Sequence, residues 1–101
     1  MQIDVIGGSG FIGSRLVERL SKDAHLSITI LDKNPSFKFP NLFKKCDVRI
    51  IDTLEATVNK GSFIVLLAAE HRDDVVPLSS YSDVNVFGTS NVIEVARKKN
   101  V

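Results

Sequence analysis

The sequence predicts an α/β protein with a Rossmann-type parallel sheet and helices on both faces. Short apolar segments alternate with segments of helical periodicity, a glycine-rich stretch follows the first apolar segment, and an acidic residue closes the second. Right-handed crossovers give an expected strand order of 3-2-1-4. Because a fifth strand would be due after Val101, we expect residues 1–101 to be the amino-terminal part of a domain truncated before strand five.

The first half of the chain shows two strands with a helix between them. Residues 2–6 are apolar and β-branched and end at two glycines, which is typical of a strand. From Phe11, apolar residues recur at a spacing of four, which predicts a helix to about Lys22. Residues 27–31 are the second strand, closed by Asp32. Residues 33–45 contain Pro35 and Pro40 and predict a loop or a short helix.

The second half alternates in the same way. Residues 48–51 are expected to be the third strand, ending at Asp52, and residues 53–60 a short helix that Gly61 ends. Residues 63–69 are an unbroken apolar run, as in a strand buried on both faces. The longest helix is expected at residues 81–100, with basic residues at its carboxyl end, where the helix dipole favours cations. One face of this helix carries Val84, Gly88, Val92 and Val95.

The composition excludes several classes of function. Hydrophobic residues make up 44% and charged residues 25%, the balance of a soluble globular protein. The formal net charge of +1 gives no electrostatic support for binding nucleic acid. The single cysteine, Cys46, excludes an internal disulfide and a multi-cysteine metal site, and we expect no metal. No apolar run approaches the ~20 residues of a membrane span, so we expect no membrane insertion and a cytoplasmic protein.

The stretch Gly7-Gly8-Ser9-Gly10-Phe11-Ile12-Gly13 is the strongest functional signal. Its spacing fits a dinucleotide-binding loop with either Gly7 or Gly8 as the first glycine. The first glycine allows a sharp turn, Gly10 lets the backbone approach a pyrophosphate, and Gly13 lets the helix pack closely. The alternative is a plain tight turn. A Walker-type phosphate loop is excluded, because Ser14-Arg15 stands where it requires Gly-Lys.

Asp32 lies 22 residues after Gly10, near the spacing of the acid that binds the adenosine ribose. A carboxylate there accepts hydrogen bonds from the ribose 2′-hydroxyl and repels the 2′-phosphate of NADP. The adjacent Lys33 would offset part of that repulsion, so NADP is less favoured than NAD but not excluded. The alternative is that Asp32 only caps a turn.

A larger set of residues resembles one known family, the NAD-dependent epimerases and dehydratases among the extended short-chain dehydrogenase/reductases. The resemblance covers nearly the whole chain and rests on five segments. These are the glycine loop at 7–13, Asp32, Asp52, Leu67-Ala68-Ala69, and the run Asp-Val-Asn-Val-Phe-Gly-Thr-Ser-Asn-Val at 83–92.

The resemblance implies a role for each matching residue. Phe11 and Ile12 would lie at the pyrophosphate, and Asp32 would bind the adenosine ribose. Asp52 and Thr53 would meet the adenine ring. Asn85 would lie close to the cofactor and the active-site water. The residues expected to line the cofactor beneath its nicotinamide side are Leu67, Ala68 and Ala69.

The family's catalytic Tyr-x-x-x-Lys pair is absent from these 101 residues. The only tyrosine is Tyr81, and residue 85 is asparagine where the pair requires lysine. We therefore expect no catalytic residue and no activity in this chain by itself. The resemblance implies the NAD-binding portion of a nucleotide-sugar epimerase or dehydratase. Two alternatives are a non-catalytic dinucleotide-binding regulator and part of a related reductase that acts on a non-sugar carbonyl.

Other residues attract attention but are interpreted conservatively. The charged stretch at 70–74 follows a strand predicted to be buried, at the edge where ligands bind, so Arg72 is a candidate contact for the cofactor or a sugar phosphate. His71 has no second histidine or cysteine at the spacing of a metal ligand. His25 is expected at the surface. The phenylalanines at 37, 39 and 43 are expected to pack together at the adenine-side edge. The open edge of the fourth strand is expected to mediate self-association, most simply as a homodimer.

Overall fold

The computed structural model describes residues 1–67 and 88–101, which form an α/β unit. The elements in chain order are β1 (Gln2–Ile6), α1 (Phe11–Leu20), β2 (Ser27–Asp32), a 3₁₀ turn (Pro40–Leu42), β3 (Phe43–Lys45), α2 (Ile51–Thr57), β4 (Phe63–Leu66) and α3 (Thr89–Lys98). The first helix was expected to reach about Lys22 and ends two residues earlier. In residues 1–67 and 88–101, no helix is long and apolar enough to cross a bilayer.

The four strands form one parallel sheet in the order β3-β2-β1-β4, which confirms the predicted topology. β1 lies in the middle, where Val5 pairs in register with Ile30 of β2 and Val65 of β4. All strands therefore point their carboxyl ends to the same edge of the sheet. In folds of this type, ligands bind at that edge.

Alternate residues of β1 face two separate hydrophobic cores, as the strand period of two requires. Val5 packs in the core that contains Val17 of α1. Ile6 packs in the other core, with Leu54 of α2 and Val95 of α3. Helices thus cover both faces of the sheet, α1 on one and α2 with α3 on the other, as predicted.

The predicted position of the third strand, residues 48–51, is wrong. The chain turns at 48–50 and α2 begins at Ile51, while β3 lies earlier, in the segment expected to be a loop. The Thr53 hydroxyl closes this turn, because it accepts a hydrogen bond from the Asp47 amide at 3.0 Å and lies 2.7 Å from the Ile50 carbonyl oxygen. Cys46 directly follows β3 and is buried, as is common for a cysteine that packs as a small hydrophobic residue.

The fourth strand is only partly covered. Its Phe63 side chain is 60% exposed, and the next three residues are half-buried, so the predicted burial on both faces is wrong for the described part. The Leu67 amide extends the ladder by donating to the Ile6 carbonyl at 2.7 Å. Within residues 1–67 and 88–101, no strand pairs with the outer edge of β4. Ala68 and Ala69, predicted as the end of this strand, lie outside the described residues.

The last helix confirms the predicted buried face where it can be compared. Val92 and Val95 are buried, and so is Gly88, just before the helix. The Lys99 ammonium reaches across to α2, where it donates to the carbonyl oxygens of Glu55 and Val58. Residues 81–87, predicted as the first turns of this helix, lie outside the described part of the chain.

A buried carboxylate fastens the opposite edge of the sheet. Asp4 on β1 is fully buried and accepts hydrogen bonds from the Asn59 amide (2.8 Å), the Asn59 side chain (2.7 Å) and the Ser62 hydroxyl (2.7 Å). The Gln2 side-chain amide donates to the same carboxylate at 3.0 Å. Asp4 therefore ties β1 to the segment between α2 and β4.

Candidate functional site

The glycine loop joins the central strand to α1 at the carboxyl edge of the sheet. Gly7 has a φ of +90°, a conformation that favours glycine, and its amide donates to the Leu31 carbonyl at 2.7 Å. The first α1 hydrogen bond runs from the Ser14 amide to the Gly10 carbonyl at 2.8 Å. No side chain caps this end of the helix. The first-turn amides and the helix dipole thus present a site for an anion.

The glycines of this loop differ in the space around them. A Cβ on Gly8 would lie 2.9 Å from a methyl carbon of Ile30, and one on Gly13 would lie 2.5 Å from the Gly7 carbonyl oxygen. A Cβ on Gly10 would lie 3.7 Å from the Gly7 carbonyl oxygen, which is ordinary contact distance. The protein's own packing therefore explains Gly8 and Gly13. The space beside Gly10 is open, which fits a pyrophosphate approaching the backbone there.

This geometry refines the predicted role of Gly13. The residue was expected to let the helix approach the strand, and its closest neighbours are in the loop itself, at Gly7 and Gly8. Gly13 thus closes the loop against the first turn of α1.

Asp32 connects the end of β2 to the glycine loop. Its carboxylate accepts hydrogen bonds from the Ser9 amide at 3.1 Å and from the Asn34 amide at 2.9 Å. The second contact is the turn cap that the alternative interpretation expected, so Asp32 has this structural role in any case. A carboxylate can accept about four hydrogen bonds, which leaves capacity for a ribose hydroxyl. Lys33, directly after it, is exposed.

The carboxyl end of β3 brings a second carboxylate to the same edge. The Cys46 amide donates to the Asp32 backbone carbonyl at 2.9 Å, which places Asp47 next along the edge. The Arg49 guanidinium contacts both oxygens of Asp47, at 3.1 and 2.8 Å. These hydrogen bonds hold the pKa of Asp47 below its usual value, and the charge of Lys33 adds to the effect.

The sequence analysis missed Asp47 because it placed the third strand too late. With β3 at Phe43–Lys45, the first acidic residue after the strand is Asp47, while Asp52 lies in the first turn of α2 and is exposed. The Thr53 hydroxyl is occupied by the turn described above. The structure therefore does not place Asp52 at the end of β3. The contact predicted between these two residues and the adenine ring stays a prediction.

The apolar residues predicted at the site have mixed positions. Phe11 and Ile12 begin α1 with side chains that are 74% and 68% exposed, and the Arg15 guanidinium carbon lies 4.5 Å from the Phe11 ring centroid. Leu67 is half-buried against the core beneath α1. Ala68, Ala69 and Asn85 lie outside the described residues, as do Tyr81 and the charged stretch at 70–74.

The predicted packing of three phenylalanines is wrong for Phe37. Phe39 and Phe43 pack against the core that contains α1. Phe37 is 94% exposed, because the loop after β2 turns its side chain outward. His25 is exposed, as predicted.

A glycine loop that opens a helix, together with a carboxylate hydrogen-bonded to that loop from the next strand, defines a dinucleotide-binding Rossmann-type domain. Residues 3–101 match the sequence model of the NAD dependent epimerase/dehydratase family, and the chain belongs to this family. This membership confirms the family predicted from the sequence, and NAD as its cofactor.

Three relatives illustrate the family. The chain is 45% identical to the N-acetyl-α-D-glucosaminyl-diphospho-ditrans,octacis-undecaprenol 4-epimerase of Escherichia coli O157:H7, over 96% of this chain and 29% of that protein. It is 31% identical to a decarboxylating sterol-4-α-carboxylate 3-dehydrogenase of Candida albicans, over 96% of this chain and 31% of that protein. The crystal structure of Thermus thermophilus UDP-glucose 4-epimerase with NAD superimposes with a TM-score of 0.80 at 27% identity, covering 100% of this chain and 35% of that one. The chain thus spans about a third of the length of these relatives.

Proposed function

We propose that this chain is the NAD-binding portion of a sugar 4-epimerase whose substrate is a sugar joined to a diphosphate. One observation supports it above others: the chain is 45% identical to the Escherichia coli 4-epimerase over 96% of its length. That relative acts on N-acetylglucosamine carried by undecaprenyl diphosphate. A polyprenyl diphosphate is therefore the proposed carrier, and a nucleotide sugar, as the sequence first implied, is the second candidate.

The described residues fit the cofactor that the family requires. The amides of Phe11 and Ile12 would hold the pyrophosphate, in the open space beside Gly10. Asp32 would accept hydrogen bonds from the adenosine ribose while it holds the loop through the Ser9 amide. When bound, NAD supplies a hydride acceptor that later returns the hydride to the sugar.

Asp47 is the better candidate for the adenine side of the site. It follows β3 at the carboxyl edge of the sheet, next to Asp32, whereas Asp52 lies in the first turn of α2. Its carboxylate is already oriented by Arg49, so its position is fixed before a ligand arrives. We propose that the adenine ring lies along the segment from Asp47 to Val48.

Two other functions are each tied to a specific feature. The similarity to the Candida albicans dehydrogenase supports a reductase acting on a non-sugar carbonyl. The glycine loop and Asp32 would serve equally in a regulator that binds NAD without catalysis. A longer polypeptide that contains Tyr-x-x-x-Lys would exclude the regulator.

A hybrid enzyme tests the proposed substrate class. Residues 1–101 would be joined to the remaining part of the Escherichia coli relative and assayed with N-acetylglucosamine on undecaprenyl diphosphate and on UDP. We expect 4-epimerisation of the polyprenyl-linked sugar, and its loss when the hybrid carries Gly10→Ala. A hybrid that binds NAD but converts only the UDP-sugar would establish the second candidate, and one that converts neither would refute the proposal.

A further inference from the structure

The outer side of α1 and the loop beside it form an exposed surface that the cofactor site does not use. We call this surface the aromatic–cationic face and define it by Arg15, Arg19, Lys22, Phe37 and Lys38. All five of these residues are exposed. The opposite side of α1 is buried against the sheet, so the face points away from the protein.

The cations of this face surround a single carboxylate. Arg15, Arg19 and Lys22 line one shallow groove with Glu18, and the Lys38 ammonium lies 2.6 Å from the Glu18 carboxylate. The hydrogen bond and charge of Lys38 lower the pKa of Glu18, and the charges of Lys22 and Arg15 add to the effect. Positive charge is therefore concentrated here, although the whole chain has a net charge of only +1.

Phe37 adds an apolar group to this charged surface. Its ring is 94% exposed, and the ion pair of its neighbour Lys38 with Glu18 holds the loop beside α1. Phe39, two residues later, packs against the core. The exposure of Phe37 is therefore not shared by the neighbouring aromatic residue of the same loop. An exposed aromatic ring among several cations is the combination found on surfaces that bind the interface of anionic membranes.

We propose that the aromatic–cationic face binds the surface of an anionic phospholipid bilayer. The inference deepens the proposed function and rests on it, because a polyprenyl diphosphate carries its sugar at a bilayer surface. The cations complement anionic headgroups, and Phe37 would enter the interface beside them. Because Arg15, Arg19 and Lys22 follow one another from the second turn of α1 to just past its end, this contact would lay α1 along the bilayer surface.

Vesicle sedimentation tests this proposal. The chain should bind vesicles of equal parts phosphatidylglycerol and phosphatidylcholine, release them at high salt, and fail to bind phosphatidylcholine alone. The double variant Arg19→Gln/Lys22→Gln should bind about 25-fold more weakly, at about fivefold per cation. Phe37→Ser should weaken binding by about tenfold. All three changes are at exposed positions, so circular dichroism should show an unchanged fold.

A matched control removes the same charge from the other side of the sheet. Lys60 and Arg97 are exposed and lie near α2 and on α3, so Lys60→Gln/Arg97→Gln should leave vesicle binding nearly unchanged. Equal losses in both double variants, or no binding to anionic vesicles at low salt, would overturn the proposal. The proposal would also be overturned if the chain bound a short RNA as tightly as anionic vesicles and Arg19→Gln/Lys22→Gln abolished that RNA binding. NAD titrations of the same variants separate this result from the proposed function, because NAD binding should persist in all of them.

Discussion

The absence of a side chain has two different causes within one seven-residue loop. At Gly13 a methyl group would collide with backbone atoms of Gly7 and Gly8, so the fold itself excludes it. A methyl group at Gly10 would be at ordinary contact distance from its nearest neighbour. The backbone there has φ −76° and ψ −178°, an extended conformation that any residue adopts. We therefore propose that glycine at this position makes room for the ligand and not for the fold.

This difference predicts that one alanine variant loses stability and the other loses affinity for NAD. Gly13→Ala should destabilise the protein by about 2 kcal/mol, because overpacking against backbone outweighs the gain in helix propensity. Gly10→Ala should unfold at the same temperature as the unmodified chain but bind NAD about tenfold more weakly or worse. Thermal melts and calorimetric titration measure the two effects. Unchanged NAD affinity in a folded Gly10→Ala variant would place the pyrophosphate elsewhere.

Asp32 has a structural role, as acceptor for the Ser9 and Asn34 amides, and a proposed role in binding the ribose, and one substitution can separate the two. We expect the chain to bind NAD weakly and NADP more weakly still. Asp32→Asn should reduce the affinity for NAD by about tenfold or more, and it should make the affinities for NAD and NADP more similar. Asp23→Asn is the matched control, since Asp23 caps a turn through the His25 amide, just as Asp32 does through Asn34. Tighter binding of NADP than of NAD by the unmodified chain would contradict the ribose assignment.

Elements with strong local signals were predicted from the sequence, and the weakest one was not. β1, α1 and β2 each combine a clear period with a glycine or an acidic residue at the boundary, and the structure has them within two residues of their predicted limits. The segment Val48–Ile51 is more apolar than Phe-Lys-Lys, so hydrophobicity alone favoured the wrong strand. The decisive interaction is the Thr53 hydroxyl on the Asp47 amide, six residues away. A period-based analysis does not detect such a contact.

The misplaced strand also displaced part of the predicted site. The glycine loop and Asp32 could be located from sequence because their spacing is fixed by a single strand–helix–strand unit. The carboxyl end of the third strand could not be located in this way, because its position depends on which residues pair with β2. In the structure Phe43 pairs with Ile30, and this register brings Asp47, not Asp52, to the edge.

The hydrogen bonds of Asp4 join β1 to the segment between α2 and β4, and we expect them to contribute to the free energy of unfolding. Asp4→Asn would turn an amide group toward the donors of Asn59 and Ser62 and should destabilise the protein by about 3 kcal/mol. The exposed carboxylate of Asp23 provides the control, and Asp23→Asn should cost about 0.5 kcal/mol or less. Denaturant unfolding at neutral pH measures both. Equal, small losses would mean that the Asp4 cluster does not contribute to stability.

At the scale of the whole chain, these 101 residues form the edge of the sheet at which the cofactor is proposed to bind. Proton abstraction requires a positioned base with a suitable partner, and Tyr-x-x-x-Lys does not occur in the 101 residues. We therefore expect no turnover of UDP-sugars by this chain with added NAD. Turnover above background that disappears in His71→Ala would contradict this and make the charged stretch at 70–74 a catalytic site.

The outer edge of β4 leads to the last prediction, which concerns association. Backbone groups along this edge have no strand partner among the described residues, and neither a charge nor a proline interrupts Phe63–Leu66. Because such an edge pairs readily with another chain, we propose self-association, most simply as a two-fold dimer. Phe63→Lys should weaken it without loss of fold, since Phe63 is 60% exposed, whereas Val65 packs against the core. Light scattering over a concentration series measures the effect, with the exposed Ile93→Lys on α3 as control. A monomer at every concentration would show that this edge is covered.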